Sequence, residues 1–281
     1  MEKKSTAEIK GTKAKPFLRW AGGKKWLQKH LNSLLPTSGF NNYHEPFLGG
    51  GAMFFSLQPS NKAFLSDLNN DLIATYQTLK IDASEVIKEL KKYKNEEDFY
   101  YEIRDKKYRN SARLAAKFIY LNQTSFNGIY RVNLRGEYNV PFGYRTKDFV
   151  ETENLLSVSK TLKSATIFNG DFELATDNIK KKDLVFLDPP YTVSHNDNGF
   201  IKYNQKLFSL EDQYRLSKLI DVVKSKGAYY ILTNAAHVAI DEIFEKGDRK
   251  LELSRANLIG GTNAQRGHTK EFIFTNIENE L

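Results

Sequence analysis

The chain has 281 residues, 40% of them hydrophobic and 27% charged, which is typical of a soluble globular protein with room for one domain and an insertion. The absence of cysteine excludes disulfides, cysteine-ligated zinc and iron–sulfur clusters, and the five histidines lack the spacing of metal ligands. A net charge of +8 favours a polyanionic partner such as nucleic acid. Because the sequence has no apolar run of membrane-spanning length and no secretory signal, we expect a cytoplasmic protein without membrane contacts.

The amino-terminal part contains a segment suited to a ligand. Residues 1–15 are rich in Lys, Thr and Ala, and we expect them to be disordered. Residues 17–24 (FLRWAGGK) follow, and their two glycines let the backbone approach a ligand closely. Trp20 in this segment is either an anchor of the core or part of a ligand pocket. A helical pattern then continues as far as Pro36.

Two strand patterns come next. Residues 43–48 form the first and run into the glycine triplet 49–51, which is followed by an apolar helical pattern. Strand, glycine turn and helix are typical of the first half of a nucleotide-binding crossover, although a flexible turn would have the same sequence. The second strand, 63–66, ends at Asp67, 18 positions beyond Gly49. A carboxylate at that spacing can accept both hydroxyl groups of a ribose.

The character of the chain changes from about residue 82. Residues 84–93 and 112–120 have helical apolar spacing, and we interpret most of the lysines and arginines around them as a solvated face. Residues 130–141 alternate around Arg135 and Gly136, which predicts a β-hairpin. Asparagine, arginine and aromatic side chains here are suited to reading base edges, and a purely structural hairpin is the alternative. We interpret residues 147–154 as a polar linker.

The most informative stretch is 184–191 (LVFLDPPY), which follows a further strand edge at 166–172 (TIFNGDF). An apolar run predicts a buried strand, and the two prolines end it because proline cannot continue a ladder. Asp188 and Tyr191 are then held at the carboxyl edge of the sheet. A carboxylate and the Pro189 carbonyl can each accept a hydrogen from an exocyclic amine, and Tyr191 offers a ring for stacking. These groups are suited to methylating the amino group of an extruded base, while a plain Asp-Pro turn is the alternative.

The rest of the chain predicts the closing part of an α/β fold. Residues 192–206 are polar and suggest a mobile lid. A helix begins at Ser209, which can cap it, and ends at Gly227. Strands are predicted at 229–234, 251–258 and 272–277, a short helix at 237–244, and a polar loop at 260–267.

Four segments together resemble the Dam-type adenine-N6 DNA methyltransferases and their restriction–modification relatives. They are 17–24, 45–51 (EPFLGGG), 133–143 (NLRGEYNVPFG) and the Asp-Pro-Pro-Tyr sequence, and they occur in the family's order over most of the chain. The resemblance implies a Rossmann-like methyltransferase core, with a mostly parallel sheet and an antiparallel closing hairpin, plus a mainly helical target-recognition insertion with a β-hairpin. We place the core at 16–80 and 160–281 and the insertion at 82–158.

The resemblance also implies S-adenosylmethionine as the cofactor, with no metal and no covalent intermediate. Lys24 would lie near the methionine carboxylate, and Asp171 and Phe172 would contact the adenine side, although Asp171 also fits a simple turn. The expected catalytic residues are Asp188, Pro189, Pro190 and Tyr191. The expected cofactor-binding residues are Trp20, Lys24, Phe47, Gly49, Gly51, Asp67, Asp171, Phe172 and Asp188.

Duplex DNA is the partner that the resemblance implies, with GATC as the target sequence. Arg131 would read a guanine, and Ile129 and Pro141 would meet a thymine. Phe126 and Asn127 would fill the gap left by the extruded base. The remaining expected DNA contacts are Arg19, Asn133 and Arg145.

Two other functions fit the same residues. One is methylation of an amine in RNA or of a glutamine amide in protein, because similar motifs serve those substrates. The other is a DNA-binding module that has lost catalysis. The sequence also leaves open a cognate restriction endonuclease as a companion, without direct contact to this chain.

Overall fold

The structure is a computed structural model that describes residues 13–133, 135–192, 208–256 and 268–278. For five of these only the backbone is described, namely Lys25, Arg255, Ala256, His268 and Thr269. Apart from Thr192, the predicted lid at 192–206 lies outside the described residues, as do the predicted loop at 260–267 and residues 1–12 of the predicted disordered terminus.

The described chain contains strands and helices in alternation. The strands are β1 (Tyr43–Glu45), β2 (Ala63–Asp67), β3 (Ala165–Asn169), β4 (Leu184–Leu187), β5 (Tyr229–Ala235), β6 (Arg249–Ala256) and β7 (His268–Thr275). The α-helices are α1 (Leu31–Leu34), α2 (Ala52–Leu57), α3 (Asn70–Leu90), α4 (Glu97–Asp105), α5 (Ser111–Thr124), α6 (Thr152–Leu162), α7 (Leu210–Ser225) and α8 (Val238–Phe244). Short 3₁₀ helices cover Lys24–His30, Phe126–Gly128 and Phe172–Asp177.

The chain divides into two compact units. The first, here called the helical unit, consists of the residues up to Gly23, Gly50–Phe55 and Asp71–Lys163. The second, here called the sheet unit, consists of Lys24–Gly49, Ser56–Asn70 and the chain from Ser164 onwards. The functional division into a core at 16–80 and 160–281 and an insertion at 82–158 stays a prediction.

The sheet unit is built on a seven-stranded sheet with the order β3-β2-β1-β4-β5-β7-β6. Strands β1 to β5 are parallel, and β7 runs antiparallel to both β5 and β6. The predicted α/β class, with a mostly parallel sheet and an antiparallel closing pair, is therefore confirmed. The direction of strand order reverses between β1 and β4, and the carboxyl ends of strands at such a point are where open α/β sheets bind ligands.

The centre of the sheet unit is apolar because its parallel strands are covered by other elements. All four residues of β4 are buried, and two of them, Val185 and Leu187, pack in one cluster with Leu216, Leu219 and Ile220 of α7. Ser209 starts α7 with a capping box, in which its side chain accepts from the amide of Asp212 while the Asp212 carboxylate accepts from the amide of Ser209. The predicted cap is thus confirmed.

The helical unit contains two helices that the sequence pattern did not reveal. Helix α4 was not predicted, and α6 begins at Thr152, inside the segment interpreted as a polar linker. That interpretation is wrong from Thr152 onwards, because Leu155, Val158 and Leu162 form a buried apolar stripe along α6. Ala14 is buried and Lys15 exchanges two hydrogen bonds with Asn154, so the ordered chain begins before residue 16.

The predicted β-hairpin is present in the helical unit. Val132 and Tyr138 form an antiparallel bridge, and the amide of Asn139 donates to the carbonyl of Arg131 at 3.1 Å. Gly136 has a φ of +75°, which the turn requires and which glycine adopts without strain. The Tyr138 hydroxyl donates to the carbonyl of Ile129 at 2.8 Å and so fixes the hairpin to the preceding loop.

Candidate active site

Asp188 is the first residue after β4, and its carboxylate is held on one side only. The Thr233 hydroxyl on β5 donates to Oδ1 of Asp188 at 2.8 Å, and the Lys24 ammonium lies 2.8 Å from the same oxygen. No residue in the described part of the chain donates to Oδ2. The side chain is 20% exposed. One carboxylate oxygen is therefore fixed, and the other can accept a hydrogen from a ligand.

Lys24 connects Asp188 to a second carboxylate. Its side chain is 3% exposed, and its ammonium lies 3.5 Å from Oε2 of Glu271, a fully buried residue of β7. The ammonium also lies over the ring of Tyr191, 4.8 Å from the ring centroid. The Tyr191 hydroxyl donates to Oε2 of Glu271 at 2.6 Å. These four side chains, Lys24, Asp188, Tyr191 and Glu271, are here called the carboxylate cluster.

Burial decides the electrostatics of this cluster. Burial raises the pKa of Asp188 above its ordinary value, although the nearby Lys24 ammonium acts in the opposite direction. Tyr43 on β1 also faces Asp188, and burial together with Glu45 raises the pKa of its hydroxyl. That hydroxyl donates to Oε2 of Glu45 at 2.8 Å. The site therefore holds carboxylates in a region of low polarity.

The two prolines end β4 as the sequence predicts, and the chain beyond them is tied to α7. Pro189 is buried and Pro190 is partly buried. The Thr192 hydroxyl donates to the carbonyl of Phe208 at 3.2 Å and accepts from the side-chain amide of Gln213 at 2.8 Å. These bonds hold the Asp-Pro-Pro-Tyr segment at the edge of the sheet.

The glycine turn after β1 is linked directly to Asp67. The amide of Gly49 donates to Oδ2 of Asp67 at 2.9 Å, and the amide of Asn69 donates to Oδ1 at 2.9 Å. Burial raises the pKa of Asp67. Each carboxylate oxygen keeps a second lone pair, so the predicted ribose contact is compatible with this geometry.

Two residues of the glycine triplet, Gly50 and Gly51, are required by close packing within the helical unit. A Cβ atom at Gly50 would lie 2.9 Å from Cβ of Trp20. Gly51 has a φ of +66°, and a Cβ there would lie 3.0 Å from the Tyr76 hydroxyl. Trp20 itself is partly buried and stacks on Tyr130, with ring centroids 5.7 Å apart. The turn is thus a close approach of backbone, and a merely flexible turn does not explain it.

The expected adenine-side residues lie together in the sheet unit. The rings of Phe47 and Phe172 stack with centroids 5.3 Å apart, and Phe208 meets Phe47 edge-on. The Arg215 guanidinium lies over Phe172 at 4.9 Å and donates to Oδ1 of Asp171 at 2.9 Å. Asp171 also caps the following 3₁₀ helix by accepting from the amide of Glu173. Asp171 therefore has the turn role, and its contact with a cofactor stays a prediction.

The expected DNA contacts all lie in the helical unit. Phe126 is 50% exposed, and Asn127 has a φ of +55°. Pro141 is exposed and Ile129 is partly buried. Arg131 is exposed, and its guanidinium donates to the side-chain and main-chain oxygens of Asn139 at 2.8 and 3.2 Å.

Three further expected DNA contacts already have partners within the helical unit. Asn133 closes the hairpin turn by accepting from the amides of Arg135 and Glu137. The Arg19 guanidinium donates to the carbonyl of Ser125 at 3.1 Å, and burial lowers its pKa. Arg145 donates to the side chain of Gln123 at 2.9 Å. Their contacts with DNA stay predictions.

The comparison with known families decides the class of this protein. The sequence model of the D12 class N6 adenine-specific DNA methyltransferases matches residues 20–259. The chain belongs to this family. It is an adenine-specific DNA methyltransferase, and its α/β sheet is that of a Rossmann-like methyltransferase fold.

Curated relatives cover most of this methyltransferase. The chain is 35% identical over 277 residues to the type II methyltransferase M1.LlaDCHI of Lactococcus lactis subsp. cremoris, covering 94% of this chain and 96% of the relative. It is 36% identical over 246 residues to the type II methyltransferase M.MjaIII of Methanocaldococcus jannaschii, covering 80% and 85%. The DNA adenine methylase of Escherichia coli is 29% identical over 228 residues, covering 79% and 81%. These relatives favour DNA over the RNA and glutamine alternatives.

Sequence reasoning missed two residues that contact the Asp-Pro-Pro-Tyr segment of the methyltransferase. Thr233 lies near the end of a strand that was predicted, and its pairing next to β4 places its hydroxyl on Asp188. Glu271 precedes the predicted strand 272–277, and the antiparallel register pairs it with Ala235. An acidic residue next to an apolar strand pattern is a sequence signal for a functional side chain. Which residues Glu271 contacts, however, depends on the register between β5 and β7.

Within the described residues, no helix is both long enough and apolar enough to cross a membrane. The same part of the chain contains no group of three His, Cys, Asp or Glu side chains arranged to hold a metal ion.

Proposed function

We propose that this enzyme transfers a methyl group from S-adenosylmethionine to N6 of an adenine extruded from duplex DNA. The single observation that carries the proposal is the one-sided fixation of Asp188. Lys24 and Thr233 hold Oδ1, while no described residue donates to Oδ2. Oδ2 can then accept one hydrogen of the adenine amino group, and the Pro189 carbonyl can accept the other.

These two acceptors direct the reaction at N6. An exocyclic amine is a poor nucleophile because its lone pair is delocalised into the ring. Two acceptors for its hydrogens favour a tetrahedral nitrogen, whose lone pair is localised and can point toward the methyl group. Bound S-adenosylmethionine supplies a methyl group on a positively charged sulfur. The N6 lone pair forms the new bond to the methyl carbon as the sulfur–carbon bond breaks, and N6 then releases a proton toward Oδ2 of Asp188. Holding N6, the methyl carbon and the sulfur in line accounts for much of the rate acceleration in reactions of this kind.

Tyr191 would hold the extruded adenine by stacking. One face of its ring meets the Lys24 ammonium at 4.8 Å, so the base is expected on the opposite face. The hydroxyl is fixed by Glu271, which limits rotation of the ring. Stacking on an aromatic ring contributes about 1–3 kcal/mol per base in other proteins that bind unpaired nucleotides.

The sheet unit has groups that fit S-adenosylmethionine. Asp67 ends β2 beside the Gly49 amide, which suits a ribose with two hydroxyls. The stacked rings of Phe47 and Phe172 suit an adenine, and the Lys24 ammonium suits a carboxylate. In the helical unit, Trp20 and Gly51 are the remaining residues that we propose for the cofactor.

The hairpin of the helical unit would read the target sequence, which we propose to be GATC. Asn139 holds the Arg131 guanidinium, which can pair bidentately with a guanine. Ile129 and Pro141 supply apolar contacts for a thymine methyl. The exposed Phe126 ring can fill the gap beside an extruded base. Because two relatives are type II methyltransferases, a cognate endonuclease for the same sequence is part of the proposal.

A methyl-transfer assay on matched duplexes tests this function. Isotope-labelled S-adenosylmethionine is incubated with the enzyme and one of three substrates: a GATC duplex, the same duplex carrying N6-methyladenine on both strands, or an RNA duplex of that sequence. We expect label only on the first, because the second has no free target amine. Equal labelling of the first two duplexes would contradict N6 as the acceptor, and labelling of RNA alone would contradict DNA as the substrate.

A further inference from the structure

Glu271 is a fully buried residue whose carboxylate contacts two other members of the carboxylate cluster. Its Oε2 accepts from the Tyr191 hydroxyl at 2.6 Å and lies 3.5 Å from the Lys24 ammonium. Strand β7 lies between β5 and β6, and Glu271 pairs with Ala235 on one side and Leu253 on the other. Because the backbone of Glu271 is paired with a strand on each side, it has little freedom to move, and the position of its carboxylate is well fixed.

A buried carboxylate at this position is costly for stability. Removing a carboxylate from water costs several kcal/mol unless it is paired, and an apolar residue in a buried strand would avoid that cost. The residues that follow Glu271 on β7 include the buried Ile273 and Phe274. The benefit of an acidic residue here therefore lies in what it contacts.

We propose that Glu271 is the positioning residue of the active site, holding the ring of Tyr191 in its stacking orientation and sharing the Lys24 ammonium with Asp188. This inference rests on the proposed function, in which Tyr191 stacks on the target adenine and Asp188 accepts a hydrogen from it. Glu271 touches neither the adenine nor the methyl group. It acts through the two residues that do the binding and orienting.

The division of Lys24 between two carboxylates has a chemical consequence. An ammonium paired with Asp188 alone would withdraw charge from the oxygens that must accept the amine hydrogens. With Glu271 present, one positive charge faces two negative charges, and Asp188 keeps more of its acceptor strength. The groups that face Asp188 are Lys24, Thr233, Tyr43 and Glu271, and the negative charge of Glu271 raises the pKa of Asp188.

Two substitutions separate the geometric role from the charge. Glu271→Gln keeps an oxygen that can accept from the Tyr191 hydroxyl and removes the charge, whereas Glu271→Ala removes both. We expect single-turnover methyl transfer to fall about 100-fold in Glu271→Ala, because small misplacements of reacting groups cost about that much. We expect a loss of about tenfold in Glu271→Gln, with cofactor and DNA dissociation constants nearly unchanged.

Glu252→Gln is a matched control. Glu252 lies on the neighbouring strand β6 and forms an ion pair with the exposed Lys270. The Glu252 side chain is 46% exposed. The same chemical change there is expected to leave methyl transfer and melting temperature at the wild-type values. A loss of activity in this control would show that any charge change in β6 and β7 disturbs the enzyme, and it would overturn the specific role of Glu271.

Two readouts distinguish positioning from simple support of the fold. The first is the acidic limb of the pH–rate profile, which we expect at lower pH in Glu271→Gln, because loss of the negative charge lowers the pKa of Asp188. The second is a double-mutant cycle with Tyr191→Phe. We expect Tyr191→Phe to slow methyl transfer less in Glu271→Ala than in the wild type, because the same hydrogen bond is already lost.

Three results would overturn the role of Glu271 while leaving the proposed function intact: wild-type rates in both variants, an unmoved acidic limb, or additive effects in the cycle. Failure of the proposed function is seen separately, because the wild-type enzyme itself would then transfer no methyl group to adenine in DNA.

Discussion

The Lys24 ammonium lies 2.8 Å from Oδ1 of Asp188, which pairs the last residue of the segment FLRWAGGK with the first residue of Asp-Pro-Pro-Tyr. The resemblance assigns Lys24 to the carboxylate of the cofactor. In the structure its partners include two carboxylates of the chain, those of Asp188 and Glu271. Lys24 therefore contributes to the stability of the sheet unit as well as to the proposed ligand site.

Lys24→Met is expected to lower the free energy of unfolding by about 3–5 kcal/mol, because it removes a buried ammonium that the carboxylates of Asp188 and Glu271 share. Urea denaturation followed by circular dichroism measures the change. Lys88→Met is the control, since Lys88 and its partner Glu85 are 65% and 42% exposed and such pairs contribute little. Equal destabilisation by the two substitutions would contradict the buried pairing.

Asp188→Asn is expected to reduce methyl transfer on the order of 10³-fold or more while the protein remains folded. The amide has the same shape but is a weaker acceptor than a carboxylate. Lys24 keeps Glu271 as a partner, so no buried charge is left alone. Single-turnover rates and melting temperatures are measured together. A variant that retains more than a tenth of the wild-type rate would remove Asp188 from its proposed role.

The rate of methyl transfer is expected to fall on the acidic side at a pH above the ordinary range for aspartate. Burial raises the pKa of Asp188, so its carboxylate gains a proton at higher pH than an exposed one would, and the protonated form cannot accept the amine hydrogen at that oxygen. The profile is measured under single-turnover conditions with enzyme shown to be folded at each pH. A rate that stays constant down to the ordinary pKa of aspartate would contradict a raised pKa.

Arg131→Ala is expected to relax discrimination at the guanine of the target by about 1–3 kcal/mol. Asn139→Ala is expected to have a smaller effect in the same direction, because it removes the side-chain oxygen that accepts from the guanidinium and keeps the main-chain carbonyl that also accepts from it. The ratio of kcat/KM for GATC and for duplexes changed at that guanine measures the effect. Arg135→Ala, at the exposed hairpin turn, serves as the comparison. An unchanged ratio in Arg131→Ala would assign the reading of guanine to another residue.

Much of the sheet unit was predictable because its signals are local. A buried apolar run ended by two prolines defines β4, and the serine cap defines the start of α7. For these two elements the residues that determine the element lie within it or directly beside it. The spacing between Gly49 and Asp67 predicted a carboxylate for a ribose, which stays a prediction, and the structure joins the two residues by a hydrogen bond of 2.9 Å.

The remaining features depend on contacts between distant segments. Glu271 reaches the Asp-Pro-Pro-Tyr segment only through the register of β5 with β7, which no local pattern encodes. Asn133 was expected to contact DNA, which stays a prediction, and the structure shows that it also closes its own turn by accepting from the amides of Arg135 and Glu137. Helix α4 was not recognised because it is nine residues long and has a short apolar face, of which Tyr100 and Ile103 are buried.

The most direct test of the central claim is base-resolution mapping of N6-methyladenine in DNA from a host that lacks adenine methylation of its own. The host expresses either the wild-type chain or Asp188→Asn at equal levels. We predict N6-methyladenine within GATC in the first case and none in the second. An absence of N6-methyladenine with the wild-type chain, or an unchanged pattern with Asp188→Asn, would contradict methyl transfer to adenine at Asp188.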